Sequence, residues 1–467
     1  MLNHFNFKKQ GERILVTNDL GMYAFLSQSE FQKLLSGNLT DSDSCYSELN
    51  EKFFISDIPK EAFIAKAVSY LRSQKSYTFT GTALHIFAVT NSCNMNCVYC
   101  QAQAINSKTD GFMSIETGIR AVELAMQSSA KHLTFEFQGG EPLLNFDVVK
   151  AMVAHSKKIN SDKEILYTIV TNLVSLDDAI LDYLLNENIS ICTSVDGCAD
   201  VHNYNRRLKN GFGSYDAVRN GIERIRATGR NIGAIQTTTR YSLDYPTELV
   251  STYVNLDVNG IFIRPLTPLG IARTYWDKIG YTTEEYLNFY RAALEYIIEI
   301  NIAGKYFPEQ HATYFLKKIL GGYSDNYMEL RSPCGASIGQ LSYYHDGSVY
   351  TCDEGRMLSE MGDNSFLLGS VYTSNYDDLM NCSICKATCA ASIVETIPHC
   401  CDCAYHPYCG VCPVVAYAEL NDIFPKSPRD YRCRIYQGIL DILFEKIAQN
   451  DDSIMRIFRR WIEVCDD

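Results

Sequence analysis

The sequence predicts an α/β protein: a parallel sheet, open or closed into a barrel, set between a small N-terminal module and a cysteine-rich tail. Three observations carry this. Six short β-type runs alternate with amphipathic helical stretches between about residues 83 and 305. The first 80 residues place strands before helices and hold no chemical cluster. The 18 cysteines are unevenly spread: Cys93, Cys97 and Cys100 fall within eight residues, and twelve more lie from Cys334 to Cys465.

In the N-terminal module (1–80), ILVTNDLGMYAFLS reads as two strands around an Asn-Asp-Leu-Gly turn. Ser29, Glu30 and Phe31 open a short helix ending near Gly37, with Ser29 as its cap. A second helical pattern runs from Pro59 to about Ser73, with Ala62, Ile64, Ala67, Val68 and Leu71 on its apolar face. Together they suggest a winged-helix-like module. From 81 to 305 the strand candidates are residues 84–90, 132–138, 166–171, 189–195, 232–238 and 261–266. Helical patterns near 115–129, 145–159, 176–187, 214–228 and 246–256 separate them. Apolar strands covered on both faces suit a parallel sheet. If the sheet closes, its chemistry belongs at the C-terminal strand ends, where each motif of this region falls. A doubly wound sheet is the alternative that periodicity leaves open. Residues 306–333 read as a helical connector, and 334–467 as a loop-rich tail closing with an amphipathic helix over about 435–448.

At 467 residues the chain can build large cores without covalent staples, and it is several times too long for a disulfide scaffold. Its first twenty residues mix charge and apolar groups without a signal-peptide core. No apolar run is long enough for a membrane helix. A reducing, cytoplasmic setting follows, in which clustered thiols mean metal or catalysis. The net charge, 42 basic against 55 acidic residues, is −13. Nonspecific nucleic-acid binding needs a basic surface and is not expected.

Cys93-x3-Cys97-x2-Cys100 directly follows the first strand. Three soft thiolates in one loop can converge on one face of an iron–sulfur cube, leaving its fourth iron without a protein ligand. A zinc site would want a fourth Cys or His nearby. Gly139-Gly140-Glu141-Pro142 ends the second strand; paired glycines permit close backbone approach, and alone the four residues read as an ordinary turn. The triad and this GGEP motif together resemble the radical S-adenosylmethionine (SAM) enzymes. The resemblance implies a partial (β/α)6 barrel with SAM held by Gly139, Gly140 and Glu141, and by Asn172, Ser194 and Asp196 at the third and fourth strand ends. By residue type alone, these are also ordinary strand-end turn residues. Arg264, at the sixth strand end, reads equally as a carboxylate-binding group or a barrel salt bridge.

The tail resembles the SPASM extension, which carries two auxiliary 4Fe–4S clusters, making three clusters in all. Asp346-Gly347 reads as a hairpin turn that brings Cys334 and Cys352 together. The family's ligand order assigns Cys334, Cys352 and Cys412 to the nearer cluster. Cys400, Cys403, Cys409 and Cys433 go to the farther one. The nearer set is one ligand short, because position 340 is Gln. Either one iron is open, or Cys382, Cys385 or Cys389 of the CSICKATC run supplies it; that run also reads as a distinct ligand loop. Cys401, beside Cys400, permits a slip in register. A zinc knuckle is the bland reading of the tail. Cys45, Cys192, Cys198 and Cys465 read as ordinary thiols.

Asp353 follows Cys352 at the place where sulfatase-maturing relatives carry the substrate base, although a solvated loop Asp reads equally well. Module, barrel and tail together resemble maturases of ribosomally made peptides, most closely the maturase of His-Xaa-Ser peptide systems. That resemblance implies an enzyme that cleaves SAM to a 5′-deoxyadenosyl radical and crosslinks a precursor peptide. Its partners would be that peptide, bound through its leader by the N-terminal module, and a one-electron donor such as flavodoxin or ferredoxin. The alternatives are a formylglycine-making sulfatase maturase and a non-catalytic iron–sulfur or zinc peptide-binding module.

Overall fold

The computed structural model describes residues 2–102, 111–322, 328–425 and 430–464; Cys465 lies outside them. At the N-terminus, β1 (Asn6–Gln10), β2 (Arg13–Thr17) and β3 (Tyr23–Leu26) form an antiparallel sheet in chain order. The β2–β3 hairpin is the predicted one, and β1 is an addition. The helix Gln28–Ser36 starts from Ser27 rather than Ser29. The Ser27 hydroxyl accepts from the Glu30 N–H while the Glu30 carboxylate accepts from the Ser27 N–H, which satisfies two backbone donors at once. Phe31 and Leu34 close a small core over Ile14, Val16, Ala24 and Leu26.

The helix Lys60–Gln74 forms as predicted but buries none of its residues. Ile64, Val68 and Leu71, expected to face inward, are exposed. The helix leans instead on Phe63 and Tyr70, which both meet Phe53 edge-on.

The central unit contains β4 (Leu84–Thr90), β5 (Met95–Cys97), β6 (His132–Gly139), β7 (Glu164–Val170), β8 (Ser190–Ser194), β9 (Arg206–Leu208), β10 (Gly233–Thr237) and β11 (Phe262–Arg264). Strands β4, β6, β7, β8, β10 and β11 lie side by side and parallel in that order, and they are the six predicted runs. Helices Ile115–Ala125, Phe146–Ile159, Asp178–Asn186, Tyr215–Ala227 and Pro246–Asn255 fill the predicted crossovers. Alternation along β6 shows how the sheet sorts its residues. Leu133, Phe135 and Phe137 are buried in the hydrophobic core, whereas Glu136 and Gln138 line the barrel interior. Each buried Phe contributes roughly 2–3 kcal/mol.

The tail does not stand apart from the barrel. Its β12 (Gln340–Tyr343) pairs in parallel with the free edge of β4, from Gln340 opposite Leu84 to Tyr343 opposite Phe87. Then β13 (Ser348–Tyr350) and β14 (Leu367–Ser370) continue the sheet antiparallel, to nine strands. The predicted hairpin turn is there, with Gly347 at φ 91°. The helical connector is only partly right: Thr283–Ile302 precedes it, and Gln310–Leu316 lies within it. Two helices close the chain, Tyr431–Gln449 and Asp452–Val464; the second, which buries Phe458 and Trp461, goes beyond the prediction.

The N-terminal sheet docks on this tail. Asn6 Nδ2 donates to the Cys401 carbonyl at 3.0 Å, Thr17 Oγ1 to the Ala404 carbonyl at 2.7 Å, and Lys8 pairs with Asp441 at 2.6 Å. Among the described residues no helix is long and apolar enough to cross a membrane.

Candidate active site and auxiliary cysteine sites

A cavity of about 790 Å³ opens inside the barrel. Cys93, Cys97 and Cys100 line one part of it, together with Gly139, Gly140, Glu141, Asn172 and Ser194. The cysteine loop is braced rather than free. Met95–Cys97 pairs antiparallel with β9, placing Cys97 opposite Arg206. Arg206 forms a buried ion pair with Asp196 at 3.1 Å, and the Tyr99 hydroxyl donates to the same carboxylate at 2.7 Å. Asp196 therefore differs from expectation. It is wholly buried and does not line the cavity, and it holds Tyr99 and Arg206 beneath the cysteine loop.

The glycine pair lines the cavity and also packs against the cysteine loop. A Cβ on Gly139 would sit 2.1 Å from the Thr90 carbonyl oxygen, and one on Gly140 would sit 2.1 Å from that of Ser92. The strand end is pressed against the backbone that leads into the cysteine loop, and the Gly140 and Glu141 N–H groups donate to Thr90 O and Ser92 O. Gly139, at φ 140°, is also in a conformation that side chains rarely adopt. Glu141 is spent on structure as well. Its carboxylate accepts from Thr171 Oγ1 at 2.6 Å, Asn172 N at 2.8 Å and Leu143 N at 3.1 Å. Burial pushes Glu141 up to about 7 against those three bonds. Asn172 Nδ2 reaches Asn94 at 2.7 Å and the Cys93 sulfur at 3.7 Å, so it touches the loop directly.

The opposite part of the cavity belongs to the tail. Asp353 and Glu354, the first residues of the helix Asp353–Glu360, line it beside Arg356. Asp353 pairs with Arg356 at 2.7 Å. Glu136, deeper in the barrel, is pushed up to about 7 by burial and then by Asp353, while Arg264 pulls it down. Arg264 itself takes the salt-bridge reading: it pairs with Glu329 at 2.9 Å. Cys192, read as an ordinary thiol, also lines the cavity, and burial raises it to about 12. Tyr99 gave no sequence signal, because nothing local marks a residue whose partner, Asp196, lies 97 positions away.

The tail thiols occupy two neighbouring places. Cys400, Cys403, Cys409 and Cys433 line one small cavity, with the Asp430 carboxylate capping the Cys433 N–H at 3.2 Å. The Cys401 side chain does not line that cavity. Cys334, Cys352 and Cys412 share a buried apolar cluster with Leu358, Phe366 and Val414. Cys412 also borders the small cavity of Cys400, Cys403, Cys409 and Cys433, so it stands between the two places. Gln340, at the position short of a thiol, is buried at the start of β12.

The three thiols of the Cys93–Cys100 loop suit an iron–sulfur cluster. Burial raises Cys93 and Cys97 to about 12, with Arg206 pulling Cys97 down, so both stay protonated until a metal compensates their charge. Among the described residues no group of three or more His, Cys, Asp or Glu closes round a single ion. Cys93, Cys97 and Cys100 lie along the wall of the barrel cavity, and Cys400, Cys403, Cys409, Cys412 and Cys433 along the smaller one.

A parallel β/α sheet that sets three braced thiols on the wall of a deep cavity suits an iron–sulfur enzyme. Comparison with known proteins agrees. Residues 87–244 match the Radical SAM superfamily. The cysteine-type anaerobic sulfatase-maturating enzyme of Clostridium novyi is 22% identical over 329 residues, spanning 68% of this chain and 84% of that protein. The structure of native anSMEcpe with bound AdoMet and Cp18Cys peptide matches at a TM-score of 0.67 and 20% identity, covering 79% of this chain and 100% of that one. Streptococcus suis SuiB bound to precursor peptide SuiA matches at 0.57 and 13% identity, covering 91% and 98%. The chain is an enzyme that carries a radical SAM domain over residues 87–244 and is similar to the sulfatase-maturing enzymes.

Proposed function

We propose that this enzyme modifies a ribosomally made precursor peptide by hydrogen abstraction and crosslinking, in the cytoplasm, with three 4Fe–4S clusters. One observation carries the reading: a single cavity joins Cys93, Cys97 and Cys100 to Asp353 of the tail. The SAM-cleaving triad and a candidate substrate base thus face the same enclosed space.

Cys93, Cys97 and Cys100 would hold the first cluster, which when bound supplies the electron that splits SAM into methionine and a 5′-deoxyadenosyl radical. Asn172 and Ser194 border the space that SAM would fill, and Glu141 and Asp196 position the loops from behind. Asp353, held at the cavity by Arg356, is placed to take a proton from the substrate. The enclosing barrel keeps water from a reactive intermediate. Cys334, Cys352 and Cys412 would serve the nearer auxiliary cluster, and Cys400, Cys403, Cys409 and Cys433 the farther. An external one-electron donor of the flavodoxin or ferredoxin type is required.

Among the described residues β1 and β3 pair only with β2, leaving strand edges of the kind that take up a peptide as an added strand. We assign leader binding to it. Co-expression with short reading frames beside the gene, followed by fragmentation mass spectrometry, tests the reading. A two-hydrogen loss located at a bond between two residues is expected. A serine or cysteine converted to an aldehyde would support the sulfatase-maturing alternative, which the Clostridium novyi relative favours.

A further inference from the structure

Glu136 projects into the middle of the barrel cavity, where none of the groups assigned above needs it. We propose that it binds the ammonium or guanidinium of a lysine or arginine in the substrate peptide, and so selects the segment that enters the barrel. The inference rests on the reading above that a precursor peptide occupies this cavity.

The cations that line the cavity are already paired. Arg206 is held by Asp196 at 3.1 Å, Arg264 by Glu329 at 2.9 Å, and Arg356 by Asp353 at 2.7 Å. Of the lining carboxylates, Glu141 accepts three hydrogen bonds and Glu354 faces Arg432. Glu136 faces Arg264 and Asp353, yet among the described residues it forms neither an ion pair nor a hydrogen bond. A second group beside it is in the same state. Thr168 is the register partner of Glu136 across the β6–β7 ladder, on the same face of the sheet, and its buried Oγ1 has no hydrogen-bond partner. Unpaired polar groups inside a fold cost stability. Two of them side by side on adjacent strands, both able to accept, mark a place for a ligand that donates.

The surrounding wall favours a long cationic side chain. Ile86 stands opposite Glu136 on β4, and Leu84 and Val170 line the cavity nearby. An apolar wall with a carboxylate on it takes the methylene stem of lysine or arginine while the charged head meets the acid. An acidic side chain would meet Glu136 and Asp353 together and be repelled by both. Depth agrees with this. Glu136 precedes Gly140 by four residues on the inward face of β6, about 13 Å from the strand end that packs on the cysteine loop. A side chain that reaches down to Glu136 leaves its backbone nearer the strand ends, on the side of Cys93, Cys97 and Cys100.

The test uses the full chain, reconstituted with iron and sulfide, and the precursor that co-expression identifies. Each lysine and arginine around the modified residue is changed in turn to glutamine. One such change should raise KM for wild type by roughly 30-fold or more, and the residue at that position shows which head is bound. Glu136→Gln should lose the distinction between the two peptides. Glu136→Lys should prefer the precursor that carries glutamate at that position, an inversion that a merely structural role would not produce. If wild type modifies the precursor equally well with all of these lysines and arginines replaced, the proposal is overturned, whether or not the enzyme variants fold. A folded Glu136→Gln enzyme that keeps the wild-type preference for the cationic peptide would overturn it too. If wild type modifies no peptide at all, the reading beneath the inference fails, and the inference with it.

Discussion

The Tyr99 hydroxyl donates to Asp196 Oδ2 at 2.7 Å, across 97 residues of sequence, and Arg206 pairs with the other oxygen at 3.1 Å. Tyr99 lies between Cys97 and Cys100, and Arg206 is paired with Cys97 through β9. A single buried carboxylate thus fixes both the loop and the short strand that supports it.

Asp196→Asn should therefore act on the loop and not on SAM contacts. It leaves the Arg206 charge buried without its counter-ion, a loss of about 3–5 kcal/mol. Urea unfolding should show that loss. Iron analysis should show the triad cluster depleted, with the auxiliary irons retained. Tyr99→Phe removes one hydrogen bond to a charged group and should cost about 1.5–3 kcal/mol.

Gly140→Ala tests whether the glycine pair serves backbone packing. A methyl 2.1 Å from the Ser92 carbonyl oxygen forces that backbone to move, and Ser92 immediately precedes Cys93. The expected outcome is a stable barrel that retains auxiliary iron but cleaves SAM at least tenfold more slowly. If SAM cleavage stayed normal, the close approach would have no bearing on the triad.

Glu141 gives the metal-free chain a pH dependence of stability. Burial raises it from 4.5 to about 7, so between those values the folded state holds more protons than the unfolded one. Stability is then complete below pH 4.5 and declines as pH rises through 7, by on the order of 3 kcal/mol. Glu141→Gln should flatten that segment of the urea midpoint profile. It should also lower stability at pH 5 by about 1–3 kcal/mol, because an amide NH₂ now meets the Asn172 N–H.

The sequence announced features whose signal is local. Each barrel strand has its own apolar run, and Cys93, Cys97 and Cys100 lie in one loop, so both were legible. The joining of β12 to β4 was not, because some 250 residues separate partners that only the closed sheet brings together. The same holds for the bond between Tyr99 and Asp196, 97 residues apart. The helix Lys60–Gln74 misled for another reason: its periodicity is real, but the ring contacts of Phe63 and Tyr70 with Phe53 decide which face it turns inward. The helix Asp452–Val464 was passed over because Asn450, in the left-handed region, ends the preceding helix, and the periodic pattern restarts beyond it.

Asp353 separates the two halves of the proposed reaction. It borders the cavity but lies on the tail side, paired with Arg356 rather than with any group of the cysteine loop. Asp353→Asn keeps the shape of the side chain and removes its capacity to accept a proton. Cleavage of SAM to 5′-deoxyadenosine should continue within a few-fold of wild type, while modified peptide should fall by about 10²–10⁴-fold, the range for losing a general base. Arg356 would lose its partner, so iron content and unfolding midpoint must be shown unchanged before the kinetic split is read. Parallel loss of 5′-deoxyadenosine and modified peptide would mean that Asp353 supports the cavity rather than the proton transfer.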